Sequence, residues 1–266
     1  MSLHVIAVLT DAGSAPVCLD AAAAAGRHHH EVRLRALHVS VDPDRIVEAA
    51  EELDLQRLRE AREGRAADRT RDVRAAFDAW SAAHPDVSIA LETRVGQEEQ
   101  VVAEETRGAD LVVLVHGGNL DAGDALHAAV FAVEAPVLLL TRDWRGESWP
   151  HVAIAWSGNE IAERAVAAAL PWLAWAQQVT ILTIGDGADP HRLCEDLGLA
   201  GIHAAVEHRD RDGESLGEQL VTVAREIGAD ALVAGAYRHN ALVEWLVGGT
   251  TRHLLAHADL PLFLAH

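Results

Sequence analysis

The sequence predicts an α/β protein built from two tandem, doubly wound, five-stranded parallel-sheet domains. Three observations carry this. A chain of 266 residues, half of them apolar, can bury one large core or two modest ones. Short Val/Ile/Leu-rich runs alternate with helical patterns throughout, as a parallel sheet covered on both faces requires. The same order of segments occurs twice, and a repeat of this kind sets the architecture.

The repeat rests on three anchors. Gly108-Ala109-Asp110-Leu111-Val112-Val113 returns as Gly228-Ala229-Asp230-Ala231-Leu232-Val233, an offset of 120. His4-Val5-Ile6-Ala7 corresponds to His151-Val152-Ala153-Ile154. Ala135-Pro136-Val137-Leu138-Leu139 corresponds to Leu260-Pro261-Leu262-Phe263-Leu264. The domains are therefore placed at 1–143 and 150–266, joined by the polar, Pro-ended segment Asp143 to Pro150. Strands are expected near 4–10, 32–39, 87–94, 110–116 and 136–141 in the first copy. In the second they are expected near 151–156, 178–184, 203–208, 230–235 and 261–265. Residues 43–84 interleave Asp/Glu with Arg, as at Glu51, Glu52, Arg57, Arg59 and Glu60, and predict a long solvated helical stretch. Its apolar positions Ile46, Leu53, Leu55, Leu58 and Phe77 suffice for one packed stripe.

Composition excludes several functions. A net charge of −19 argues against nucleic acid or an anionic membrane as partner, since both need basic patches. All 22 cationic side chains are Arg, so a conventional P-loop lysine or Schiff-base lysine has no residue to use. The lone cysteines, Cys18 and Cys194, read as small core fillers and exclude a disulfide framework or a Cys-rich metal site. No apolar run reaches the roughly 20 residues of a membrane span, and no signal peptide is visible, so a cytoplasmic location is expected.

The densest candidate site is the segment from Gly235 to His253, which follows a buried strand and leads into a helix. That is the carboxyl edge of a parallel sheet, where α/β folds bind ligands. Gly235, Gly248 and Gly249 would let backbone approach a phosphate, and the hydroxyls of Thr250 and Thr251 with free amides at a helix N-terminus would hold an anion. Glycine spacing alone fits equally a strand end, a turn and a Thr cap. The histidines raise a metal hypothesis. Three successive side chains on a helix, as at His28-His29-His30, point about 100° apart and cannot meet one ion. His253 and His257 stand at ligand-compatible spacing with no third ligand nearby, so no metal site is assigned. Trp172 and Trp175 share a helix face and read as core or interface residues.

The segment from Gly235 resembles the phosphate loop of the universal stress protein family, whose pattern is Gly, two residues, Gly, nine residues, Gly, then Ser or Thr. Its continuation TRHLLAHADLPLFLAH, and AWSGNEIAERAVAAALPWL from Ala155, are similar to the family's last helix and strand and to its first strand and helix. The resemblance covers nearly all of the second copy and is weaker in the first. It implies a sheet of strand order 3-2-1-4-5, the adenine nucleotide α-hydrolase-like arrangement. It also implies ATP or AMP binding in some members, with no metal beyond nucleotide-associated Mg, and dimerisation through the last strand.

Residue by residue, the first loop glycine is Gly235 and the third is Gly248, while Arg238 stands at the second and Gly249 at the Ser/Thr position, followed by Thr250. Ser157 replaces the acidic residue that ends the first strand, and the adenine-facing end of the second strand falls near Ile184. Arg238 either sets a guanidinium on a phosphate or fills the phosphate space. In the first copy Asp11 keeps the acidic position. There the copies' offset grows from 120 at Asp110/Asp230 to 125 at Pro136/Pro261, so five residues are missing where the loop would be, and His116-Gly117-Gly118-Asn119 leads almost directly into a helix from Asp124 to Val133. The first copy is thus expected to be structural, or a site for something smaller.

Three functions follow. One is a non-catalytic stress-response module with a degenerate adenine-nucleotide site. A second is an enzyme of the related α-hydrolase group, which the absence of Ser-Gly-Gly-x-Asp-Ser and His-x-Gly-His signatures disfavours, leaving at most weak ATP hydrolysis. A third is a scaffold without nucleotide, in which duplication internalises a dimer interface, an intrachain pseudo-dimer pairing strands 136–141 and 261–265. A homodimer remains compatible with the first.

Overall fold

The computed structural model describes residues 2–42, 60–116, 120–132, 136–185, 189–236, 254 and 258–266. The chain divides into two compact units, Met1–Ala135 and Pro136–His266.

In the first unit the order is β1 (Leu3–Val8), α1 (Ala15–Gly26), β2 (Val32–Ser40), α2 (Ala66–Ala83), β3 (Ile89–Val95), α3 (Glu98–Glu105), β4 (Leu111–His116) and α4 (Leu120–His127), the last followed by a π-helical turn, Ala128–Ala132. The strands run parallel in the order β3-β2-β1-β4. β4 is buried along nearly its whole length, whereas the edge strand β3 is half-exposed, so apolar runs mark the centre and charged residues the rim. Helix α1 is almost entirely alanine and small residues because it lies flat on the sheet, with Ala15, Val17, Cys18, Leu19, Ala21 and Ala22 all buried.

The long helix expected over 43–84 is interrupted. Helical residues run through Glu63, and Gly64 then takes φ +85 with Arg65 extended, so α2 begins at Ala66. Glycine adopts that left-handed conformation without steric cost, which is why the break falls there. Along α2, Val73, Phe77 and Trp80 form the packed stripe, and the Trp80 indole donates to Asp20 on α1 at 2.7 Å. The remaining apolar positions named above, Ile46, Leu53, Leu55 and Leu58, lie outside the described residues.

In the second unit the order is β5 (Val137–Thr141), β6 (His151–Ala155), α5 (Glu160–Leu173), β7 (Gln178–Ile184), α6 (His191–Leu199), β8 (Ala204–Arg209), α7 (Leu216–Glu226), β9 (Ala231–Gly235) and β10 (Leu262–Ala265). Strands β8-β7-β6-β9-β10 run parallel. Counted within the copy, that is the order 3-2-1-4-5. Strand β5, which the repeat assigns to the first copy, belongs to this compact unit and pairs antiparallel with β10, Leu262 opposite Leu139. These are the two strands that the duplication was expected to pair. Asn159 caps α5 by accepting from the Ala162 amide, and Ser215 caps α7 by accepting from Glu218.

Asp143 to Pro150, expected as a linker, is anchored inside this unit. Trp144 and Trp149 stack at 5.7 Å, Trp149 meets Phe263 of β10 edge-on at 5.9 Å, and Trp172 approaches the same ring at 5.4 Å. Gly146 permits the fold-back, since a β-carbon there would lie 2.9 Å from the Trp144 indole. The pair Trp172 and Trp175 separates: Trp172 is buried, while Trp175 lies past the end of α5 and is 54% exposed.

The repeated Gly-Ala-Asp motif has one structural meaning in both units. Gly108 (φ +76), three residues past the end of α3, and Gly228 (φ +70), directly after the Ile227 cap of α7, both take the left-handed conformation. The following aspartate then closes on the first strand. The His4 amide donates to Asp110 Oδ2 at 2.8 Å while the Asp110 amide donates to the His4 carbonyl at 2.9 Å. In the second unit the His151 amide donates to Asp230 Oδ2 at 2.8 Å and the Asp230 amide to the His151 carbonyl at 2.8 Å.

Two predictions follow from these contacts. Asp230→Ala removes one of the paired bonds and should cost about 1–2 kcal/mol, with Asp230→Asn, which keeps an acceptor, costing less than half of that; the urea midpoint checks both. The second concerns His38, which is buried: its Nδ1 donates to the Leu9 carbonyl at 2.8 Å and its Nε2 accepts from Thr70 at 3.2 Å. Burial first, then Arg69 and Arg74, hold its pKa below the ordinary value, against the raising effect of the Leu9 bond. The unfolded chain therefore binds the proton first as pH falls, and the contribution is intact above about pH 6.5 and lost as pH drops from there toward the folded-state value. The urea midpoint should fall between pH 7.5 and 5.5, and the fall should be smaller in His38→Gln.

Candidate functional site

In a sheet of this order the order of strand addition reverses between the first and fourth strands, and the crevice beyond their carboxyl ends is where such folds take ligands. In the second unit those strands are β6 and β9, paired with Val152 opposite Ala231 and Ile154 opposite Val233. The Trp156 amide extends the β6–β7 ladder by donating to the Leu182 carbonyl at 2.9 Å. Ser157 is then the first residue past the sheet and is exposed. The β6–β7 register, Ala155 opposite Leu182, brings Ser157 level with Ile184, and the β6–β9 register sets Gly235 one row below. Three of the sequence-predicted residues thus reach one edge. Arg238, Gly248, Gly249, Thr250 and Thr251 lie outside the described residues, as do His253 and His257.

Gly235 has a packing reason of its own. A β-carbon there would stand 2.7 Å from Ile161 Cγ2 and 3.2 Å from the Ile161 carbonyl group, so glycine is what lets the first turn of α5 lie against the end of β9. The next residue, Ala236, is buried and donates to the Ala265 carbonyl at 2.8 Å, carrying the β9–β10 pairing to the edge. The first turn of α5 carries Glu160 and Glu163, which suit the helix dipole.

Sequence reasoning passed over Trp156. It is buried beside Ser157, and its indole donates to the Asp189 carbonyl at 3.2 Å, tying the end of β6 to the start of α6. An aromatic residue next to the position of the family's acidic residue was the available signal. Thr183 and His208 meet at 3.0 Å on the neighbouring strand ends, and Gln219 of α7 donates to the Asp210 carbonyl.

The corresponding edge of the first unit is organised differently. Asp11 does not point a free carboxylate at a ligand: the Ser14 amide donates to its Oδ1 at 3.0 Å and the Ser14 hydroxyl to its Oδ2 at 2.8 Å, which turns the chain into α1. Beneath it the Cys18 thiol donates to the carbonyls of Val8 and Val113, across β1 and β4. Burial, reinforced by Asp11, pushes that thiol far above the ordinary range, so it is an inert core group. His116 ends β4 half-buried, and desolvation lowers its pKa. The His28-His29-His30 run lies after the end of α1 and not on a helix, so the angular argument does not apply to it. Among the described residues no group of three His, Cys, Asp or Glu side chains is arranged to hold a metal, and no helix is long and apolar enough to cross a membrane.

The comparisons bear on the second unit most directly. Residues 191–266 match the model of the universal stress protein family. No curated protein matches the chain. Among solved structures, a universal stress protein from Archaeoglobus fulgidus DSM 4304 superposes with a TM-score of 0.66 at 12% identity, over 98% of this chain and 97% of that one. A putative universal stress protein from Pseudomonas aeruginosa UCBPP-PA14 gives 0.59 at 12% identity, over 98% and 92%. At such identity these superpositions establish the fold, which extends over both units. Residues 191–266 are thus similar to the universal stress protein family, and the chain carries the α/β fold of these solved universal stress proteins along its length.

Proposed function

We propose that the second unit is a non-catalytic adenine-nucleotide module of the stress response, taking ATP or AMP with its associated Mg at the edge formed by Ser157, Ile184 and Gly235. The observation that carries this reading is the convergence of those three residues at the reversal point of the sheet, in the unit whose residues 191–266 match the family model. The segment from Arg238 to Thr251, which begins three residues past Gly235, would supply amides and hydroxyls to the phosphates. The site is degenerate. Ser157 offers a hydroxyl where an acidic group would accept from a ribose, and an arginine, Arg238, stands in the sequence where the family pattern has a glycine for close phosphate approach. With neither catalytic signature in the sequence, binding and release, not turnover, would carry the signal.

The scaffold reading has one observation in its favour. The antiparallel β5–β10 pair covers the open edge of β10.

Isothermal titration separates the two. ATP or AMP should give weak, saturable heat, and Arg238→Gly should tighten binding about tenfold, roughly 1.4 kcal/mol. No heat with either nucleotide, in wild type and in Arg238→Gly, removes the nucleotide reading and leaves the scaffold. Gly235→Ala should destabilise the protein by about 1–3 kcal/mol through its collision with Ile161, and the added change Ile161→Ala should recover part of that loss in urea denaturation.

A further inference from the structure

A second concave feature of the second unit lies away from the strand-end loop, between α5 and α6. It is a groove of about 220 Å³ whose walls include Trp156, Val166, Leu170, Leu193 and Leu197, with Glu163 among the lining residues. The spacing 163, 166, 170 keeps these side chains on one face of α5, and 193, 197 does the same on α6. The apolar lining has no polar group to satisfy except at the rim. There the charges differ in state. Arg192 and Asp196, successive turns of α6, lie 3.9 Å apart and offset each other. Glu163 has no ion-pair or hydrogen-bond partner for its carboxylate among the described residues. An apolar slot with one uncompensated carboxylate at its edge is complementary to a molecule with an apolar body and one positive charge.

Size narrows the class further. Pockets for drug-sized ligands run to about 300–1,000 Å³, so this groove suits a fragment-sized molecule. Trp156 offers an indole whose position is already set by its bond to the Asp189 carbonyl. An aromatic body would gain ring contact there in addition to burial.

We propose that the α5–α6 groove is a binding site for a small organic ammonium ion, an aromatic or branched aliphatic amine, with the apolar body between Leu170 and Leu193 and the ammonium on Glu163. It is separate from the nucleotide edge but shares Trp156 with it, the residue directly before Ser157, so an occupied groove touches the residue that leads into that edge.

The test uses the whole protein, 2-phenylethylamine as the probe and phenylacetate as the control of opposite charge. The indole N–H resonance of Trp156, assigned by its loss in Trp156→Phe, is followed in ¹⁵N-labelled protein without nucleotide. The amine should shift it saturably and bind about fivefold more tightly than phenylacetate, the range an exposed ion pair allows. Glu163→Gln should remove that preference while leaving the apolar contact. Ala167→Trp, which fills the groove from an exposed helix position, should abolish the shift by both probes. The absence of a saturable shift with the amine, equal affinity for the two probes in wild type, or an undiminished preference in Glu163→Gln overturns the proposal. Because no nucleotide is present, each of these outcomes leaves the reading of the strand-end site standing.

Discussion

The interaction on which both units depend is the closure of an aspartate onto the start of the central strand. A parallel sheet cannot use hairpins; each strand must be delivered to its neighbour by a helix, and the register is decided where that helix ends. In both units a left-handed glycine follows the helix, and two residues on the aspartate exchanges two hydrogen bonds with the backbone of His4 or His151. That pins the fourth strand against the first. Everything at the carboxyl edge is a consequence, because the residues that emerge together there are those that the register sets level.

This explains why so much of the architecture was legible. The Gly-Ala-Asp motif is local in sequence and its partner is the first apolar run of each copy, so the repeat and the strand positions could be read together. The strands at 32–40 and 178–184 agree with expectation to within a residue. What could not be read depends on contacts distant in sequence or on a single residue's conformation. Gly64 breaks a charged stretch whose periodicity otherwise continues. Asp143 to Pro150 has the composition of a linker, yet its two tryptophans stack on each other and Trp149 meets Phe263 more than a hundred residues away. Asp11 satisfies the family pattern by identity, but its carboxylate is engaged by Ser14.

The candidate site shows the same division. Gly235 was legible as a glycine at a strand end, but its reason is steric and comes from α5: it makes room for Ile161. A glycine read only as a phosphate contact therefore understates its role, since the close approach of helix and strand is also what shapes the crevice. Trp156 was missed because aromatic residues beside strands usually signify core packing. Here it is core packing that joins the strand-end edge to the groove between α5 and α6, through the Asp189 carbonyl on one side and Leu193 and Leu197 on the other.

The two edges make the central claim asymmetric. In the first unit Asp11, Ser14 and Cys18 are occupied with one another and with the ends of β1 and β4, and the loop after β4 is shorter by five residues. In the second, Ser157 and Gly235 flank the start of the longer segment. Hydrogen–deuterium exchange with and without saturating AMP tests this most directly. The account predicts slower exchange in peptides covering 155–160 and 235–253, and no change in peptides covering 9–16 and 114–122. Protection confined to the first unit's edge, or none in either, would contradict it.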